Sequence, residues 1–107
     1  MKRGDLYRLR HPSGEPKRSR VFLVVSRNAL VESRFATVIC APVYTARRGL
    51  STEIAVGAEE GLKHESSVLC DALVSVEKAR LTDYVGALSE KKLMDLRRAL
   101  RAAVDVE

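Results

Sequence analysis

Tryptophan is absent from this 107-residue chain, and aromatic residues make up only 5%, so any core it builds must be largely aliphatic. Cysteine is nearly absent too. Cys40 and Cys70 stand thirty residues apart inside apolar runs, with no second Cys or His at ligand spacing, which points to buried free thiols and excludes a disulfide- or zinc-stapled scaffold. No apolar run approaches the ~20 residues of a membrane span, and the first residues lack the apolar region of a signal peptide. The expected compartment is therefore the cytoplasm. Repeats and low-complexity segments are also missing, and a chain of this length can bury roughly two thirds of its unfolded surface as a single domain spanning 1–107.

What the chain does carry is positive charge. Nineteen Lys and Arg against fourteen Asp and Glu give a formal charge of +5, a sign that favours nucleic acid or another anionic partner. Basic residues crowd 2–34 and 47–48 and return along 91–101, while 50–90 is slightly acidic. A one-sided basic surface accounts for that distribution, and so does a set of solvated faces.

Periodicity predicts mostly strands. DLYRLR (5–10) alternates loosely, while RVFLVVS (20–26) and ATVICAPVY (36–44) are continuous β-branched runs of the kind buried on both faces. Pro42 cannot donate to a ladder, so the second run should lie at an edge or carry a bulge. TARRGLSTE (45–53) reads as an exposed hairpin loop leading into EIAV (53–56), and SVLCDALVSV (67–76) as one further strand. VEKARL (76–81) suits a helical turn and DYVGAL (83–88) a short strand. The strong helix comes last. Ser89 is its N-cap, Glu90 lies in its first turn, and Leu93, Leu96, Leu100 and Ala103 form one apolar stripe. The pattern as a whole predicts a mainly β protein, a small and strongly curved barrel with a C-terminal α-helix packed against it.

The most telling stretch is SGEPKRSRVFLVVSRNAL (13–30), where a polar, basic loop runs into an apolar strand with Glu15 and Arg20 five residues apart. Loops held by a rigid scaffold collect functional groups, and Lys17, Arg18 and Arg20 make an anion the natural partner. Together with RGDLY (3–7), the segment resembles the opening of MazF/PemK-type (Kid-like) toxins of type II toxin–antitoxin systems. The resemblance continues through Ala41-Pro42-Val43-Tyr44-Thr45, RGLSTEIAV, Gly61-Leu62, Ser67-Val68-Leu69-Cys70-Asp71, Val76 to Leu81, and Gly86 with the terminal helix. Three positions depart from the family pattern. Val21 replaces a proline, Tyr44 occupies the slot of a threonine that follows one residue later as Thr45, and the 69–75 strand lacks polar groups found in some members.

The resemblance implies an SH3-like barrel shared with the gyrase poison CcdB, a homodimer, and a ribosome-independent, metal-independent endoribonuclease acting on single-stranded RNA. It also implies 2′,3′-cyclic phosphate and 5′-hydroxyl ends, no cofactor, and neutralisation by an acidic antitoxin. Such chemistry uses the 2′-hydroxyl of the substrate as nucleophile, so the protein need supply only a base, charge stabilisation and a proton. Arg20 matches the catalytic arginine by position, and its planar fork suits a phosphate. Glu15 is a candidate either for the base or for orienting Arg20, and Asp71, read as a carboxylate within a strand, either for the base or for a structural hydrogen-bonding role. Thr45 is the candidate phosphate-positioning hydroxyl, able to take the family role only if Pro42 introduces a bulge. Lys17, Arg18, Arg47 and Arg48 are candidate RNA contacts, and Tyr44 could stack a base. His11 and His64 match no motif and read as surface residues. Two other functions fit the same barrel: a CcdB-like gyrase poison without catalysis, and a non-catalytic nucleic-acid-binding module.

Overall fold

The computed structural model describes residues 1–10, 13–14 and 19–106. Among these residues, seven strands and two α-helices follow one another. They are β1 (Asp5–Leu9), β2 (Arg20–Val24), α1 (Asn28–Val31), β3 (Thr37–Tyr44), β4 (Glu53–Val56), β5 (Ser66–Leu69), β6 (Val74–Glu77), β7 (Asp83–Ala87) and α2 (Glu90–Val104), with 3-10 turns at Ala58–Glu60, Cys70–Ala72 and Lys78–Arg80. The strands form one antiparallel sheet in the order β4-β5-β3-β2-β1-β7, with β6 also paired to β3. Fold class and terminal helix are as the sequence predicts.

The continuous apolar runs are explained by burial on both faces. Leu6, Val21, Leu23, Ala41 and Val43 join Ile54, Val56, Val68, Leu96 and Ala99 in one cluster beneath α2. Tyr7, Leu9, Val24, Val38 and Cys40 pack with Val31, Val76 and Leu81 on the other side of the sheet. The Ser89 hydroxyl caps α2 by accepting from the Lys92 amide at 3.2 Å. Among the described residues, no helix is long and apolar enough to cross a membrane.

Three sequence expectations need correction. Pro42 is neither at an edge nor in a bulge, because the β2–β3 register runs unbroken through Phe22↔Pro42, Leu23↔Ala41 and Val24↔Cys40. Ile39 turns its backbone towards β2, its carbonyl accepting from the Val25 and Ser26 amides, so by alternation Pro42 faces the other way. On that side β3 changes partner, pairing β6 through Thr37–Cys40 and β5 through Val43–Tyr44, and the missing N–H falls in the gap between them. Second, the 45–53 loop is exposed but closes no hairpin, since β5 lies between β3 and β4. Third, the run 67–76 is two strands broken by the Cys70–Ala72 turn, which carries the chain from one end of β3 to the other. The four-residue helix α1 is too short to show a period; Lys78 Nζ covers its C-terminal end, donating to Leu30 O at 2.8 Å and, just past the helix, to Ser33 O at 2.7 Å.

No pairing joins the outer strands β4 and β7 among the described residues; the Ala58–Glu60 turn bridges towards β7 instead. The approach is backbone to backbone. A Cβ at Gly86 would stand 2.1 Å from the Glu60 carbonyl oxygen, and one at Gly61, whose φ is +87°, would stand 2.3 Å from the Val85 carbonyl oxygen. Only glycine fits either place. The same turn buries Glu60, which accepts from the Gly57 amide at 2.7 Å and from Lys92 Nζ of α2 at 3.0 and 2.9 Å.

Candidate active site

Antiparallel pairing brings the end of β1, the start of β2, the end of β3 and the start of β5 to one end of the sheet. A cleft of about 800 Å³ opens there. The β2–β3 register, extended two residues beyond Phe22↔Pro42, sets Arg20 opposite Tyr44, and the Arg20 guanidinium carbon lies 4.3 Å from the centre of the Tyr44 ring. This cation–π contact holds the guanidinium against the ring without using its hydrogen-bond donors. Thr45 also lines the cleft, and it needs no bulge to do so, because β3 ends at Tyr44 and the chain has left strand geometry at Thr45. Arg20, Tyr44 and Thr45, expected as site residues from sequence, are thus brought together.

Other expected residues are placed elsewhere. Asp71 does not lie within a strand as expected: it sits exposed in the Cys70–Ala72 turn, accepts from the Thr52 hydroxyl at 2.7 Å, and is not among the residues lining the cleft. The strand expectation failed because a short 3-10 turn inside an apolar run leaves no mark on hydrophobic periodicity. Arg47 and Arg48 also stand outside the cleft. Arg47 donates to the Ser66 and Val56 carbonyls and pairs with Glu65. The Arg48 and Leu50 amides both donate to the Glu53 carboxylate, and the Leu50 bond is the main cause holding its pKa below the ordinary value. Glu15, Lys17, Arg18 and His11 lie outside the described residues.

Sequence reasoning missed several groups that line the cleft: Arg8, Arg10, Lys63, His64 and Ser66. Arg10 also lies 3.7 Å from Asp83. No carboxylate is present among the described lining residues, so Arg8, Arg10, Arg20 and Lys63 give the cleft a single sign of charge. The thiols take no part in this site. Burial pushes Cys40 up to about 12, and burial, reinforced by Asp71, pushes Cys70 up to about 11.

Residues 2–104 match the family described as PemK-like, MazF-like toxin of type II toxin-antitoxin system. The chain belongs to this family. Endoribonuclease MazF3 of Mycobacterium tuberculosis is 31% identical over 90 residues, which cover 84% of this chain and 86% of that protein. Among solved structures, a mycobacterial endoribonuclease in complex with its cognate antitoxin superposes with a TM-score of 0.85 at 27% identity, over 100% of this chain and 97% of that one. The Mycobacterium tuberculosis toxin MazF-mt6 gives 0.83 at 26% identity, over 96% and 98% respectively. Membership of the PemK/MazF family accounts for the order of the motifs read along the sequence. His64 and Lys63 had no such motif to announce them. The signal that could have found them is topological, since the β4–β5 connection ends beside the start of β2 only once β5 is inserted next to β3.

Proposed function

We propose that this chain is an endoribonuclease toxin whose cationic cleft binds single-stranded RNA and cleaves it by transesterification, with a cognate acidic antitoxin as its inhibitor. The observation that carries this reading is the cleft itself: among the described residues Arg8, Arg10, Arg20 and Lys63 line it with no carboxylate beside them, and Tyr44 offers an aromatic ring beside the Arg20 fork. A polyanion with stackable bases suits that lining, and an acidic antitoxin segment would compete for the same charge.

The chemistry follows from the groups at hand. The RNA 2′-oxygen attacks the adjacent phosphorus while its proton passes to a base; the P–O5′ bond breaks, and the departing oxygen takes up a proton. The products are a 2′,3′-cyclic phosphate and a 5′-hydroxyl, with no water consumed. Arg20 stabilises charge on the pentavalent phosphorus centre, Thr45 positions a phosphate oxygen, and the imidazole of His64 is available at the cleft for proton transfer. Of the two carboxylates considered for the base, Asp71 stands apart from the cleft, and the role is assigned to Glu15. The active form is a homodimer.

Incubating the purified chain with a long RNA in excess EDTA and mapping the new ends tests this reading. Discrete cleavage with cyclic phosphate termini is expected. Intact RNA bound in a salt-dependent manner would replace catalysis with simple nucleic-acid binding, and intact RNA with gyrase inhibition would replace it with a CcdB-like mode.

A further inference from the structure

Past the end of β3 the chain stays against β5, but strand hydrogen bonds no longer hold it there. Side chains take over. The Ser67 hydroxyl donates to the Ala46 carbonyl at 2.6 Å. Arg47 Nε donates to the Ser66 carbonyl at 3.1 Å, and Arg47 Nη2 donates to the Val56 carbonyl at 3.3 Å and pairs with Glu65. Val56 and Ser66 are the last register pair of β4 and β5, so one guanidinium ties the loop that follows β3 to the paired ends of both strands. Two of the segments so tied are walls of the cleft: Thr45 and Ala46 on one side, His64 and Ser66 on the other.

We propose that Arg47 is a positioning residue, a clamp that sets Thr45 and His64 relative to one another, and that it makes no contact with RNA. The two backbone carbonyls carry the effect, because the Glu65 pair is exposed and an exposed pair contributes little. A guanidinium is required for the geometry. Its rigid fork serves both carbonyls at once, whereas a lysine ammonium at that site keeps the charge but loses the simultaneous hydrogen bonds. The consequence for rate rests on the RNA-cleaving reading, since displacement of a reacting group by about 1 Å can cost on the order of 100-fold; the clamp itself does not rest on it.

Arg47→Ala and Arg47→Lys, compared with the parental chain, separate a clamp from a phosphate contact. Amide hydrogen exchange should rise in 44–50 and 63–66 together in both variants and remain parental elsewhere. Single-turnover cleavage of a short RNA in EDTA should fall on the order of 10-fold or more in both, with no rescue by lysine. Binding of the uncleavable 2′-deoxy oligonucleotide should keep the parental salt dependence. A phosphate contact would instead lower the slope of log K against log salt by ~0.7 in the alanine variant and be rescued by lysine, which would overturn the proposal. Unchanged exchange in the two segments would overturn it whatever the activity, and a parental chain that cleaves nothing would count against the RNA-cleaving reading alone. Should neither variant fold, Arg47→Gln, which keeps a donor but loses the fork that serves both carbonyls, decides: raised exchange in 44–50 and 63–66 upholds the clamp, and parental exchange overturns it.

Discussion

Replacing Arg20 with alanine should separate catalysis from stability more cleanly than any other change in the molecule. The side chain is exposed at the first position of β2, and its recorded contact is the face of Tyr44 at 4.3 Å. Loss of an exposed cation–π contact costs about 0.5–1 kcal/mol. No core volume is removed, and the backbone pairing of Arg20 with Leu9 needs no side chain. For a domain of this size 1 kcal/mol corresponds to a shift in Tm of roughly 4–8 °C, so the variant should melt no more than about 8 °C below the parent. The effect on rate is of another order. Losing one preorganised donor to charge developing in a transition state costs about 2.7–4 kcal/mol, which at about 1.36 kcal/mol per decade is roughly 100- to 1000-fold. Arg20→Lys keeps the charge without the fork and should fall between the two. The assay is single-turnover cleavage of a fluorescent RNA with enzyme in excess and EDTA present, alongside thermal melting of each variant. A folded Arg20→Ala protein that cleaves at close to the parental rate refutes the mechanism.

Thr45→Ala should slow cleavage more than Tyr44→Phe, because the phenylalanine ring still offers its face to Arg20 while the alanine deletes the positioning hydroxyl; the reverse order in the same assay would show that Tyr44 has taken over the hydroxyl role. In urea denaturation, Lys92→Met should cost about 3–5 kcal/mol by leaving the buried Glu60 carboxylate with the Gly57 amide alone. Glu60→Gln should cost less, about 1–3 kcal/mol, since the partly exposed Lys92 can reach water; equal costs would contradict this asymmetry. Cys40 and Cys70, with thiols pushed up to about 12 and about 11, should resist alkylation in the native protein at neutral pH and label fully in urea, as read by mass spectrometry. Rapid native labelling would mean that the core around them opens.

Sequence revealed those features whose signal is local. The double-faced burial of β2 is written in Val21, Phe22, Leu23 and Val24, and α2 announces itself through Ser89 and its leucine stripe. What stayed hidden depends on which strands become neighbours. Cys70–Ala72 breaks an apolar run with no Gly or Pro and with Asp71 as its single polar residue, so Asp71 looked like a strand residue. The cleft brings together Arg20, Thr45 and His64, and only the first two fall in segments whose pairing could be guessed from family motifs. Arg47 illustrates a subtler limit. A basic residue in an exposed loop looks the same in sequence whether its donors meet a ligand or the carbonyls of its own sheet.

The close approach of the Glu60–Gly61 backbone to Val85–Gly86 also bears on how the molecule behaves in solution. An unpaired strand edge is a template for another chain, and an open sheet ordinarily has two. Here α2 packs against β4, and the turn that presses its carbonyl onto Gly86 covers part of β7. Among the described strands, β6 pairs only with β3 and keeps a second edge to offer, over the four residues Val74–Glu77, where Glu77 is exposed and charged. A side chain at position 86 would therefore do more than loosen a turn. By forcing the bridge away from β7 it would uncover a five-residue edge bearing Tyr84, and the foreseeable outcome is self-association through added strands.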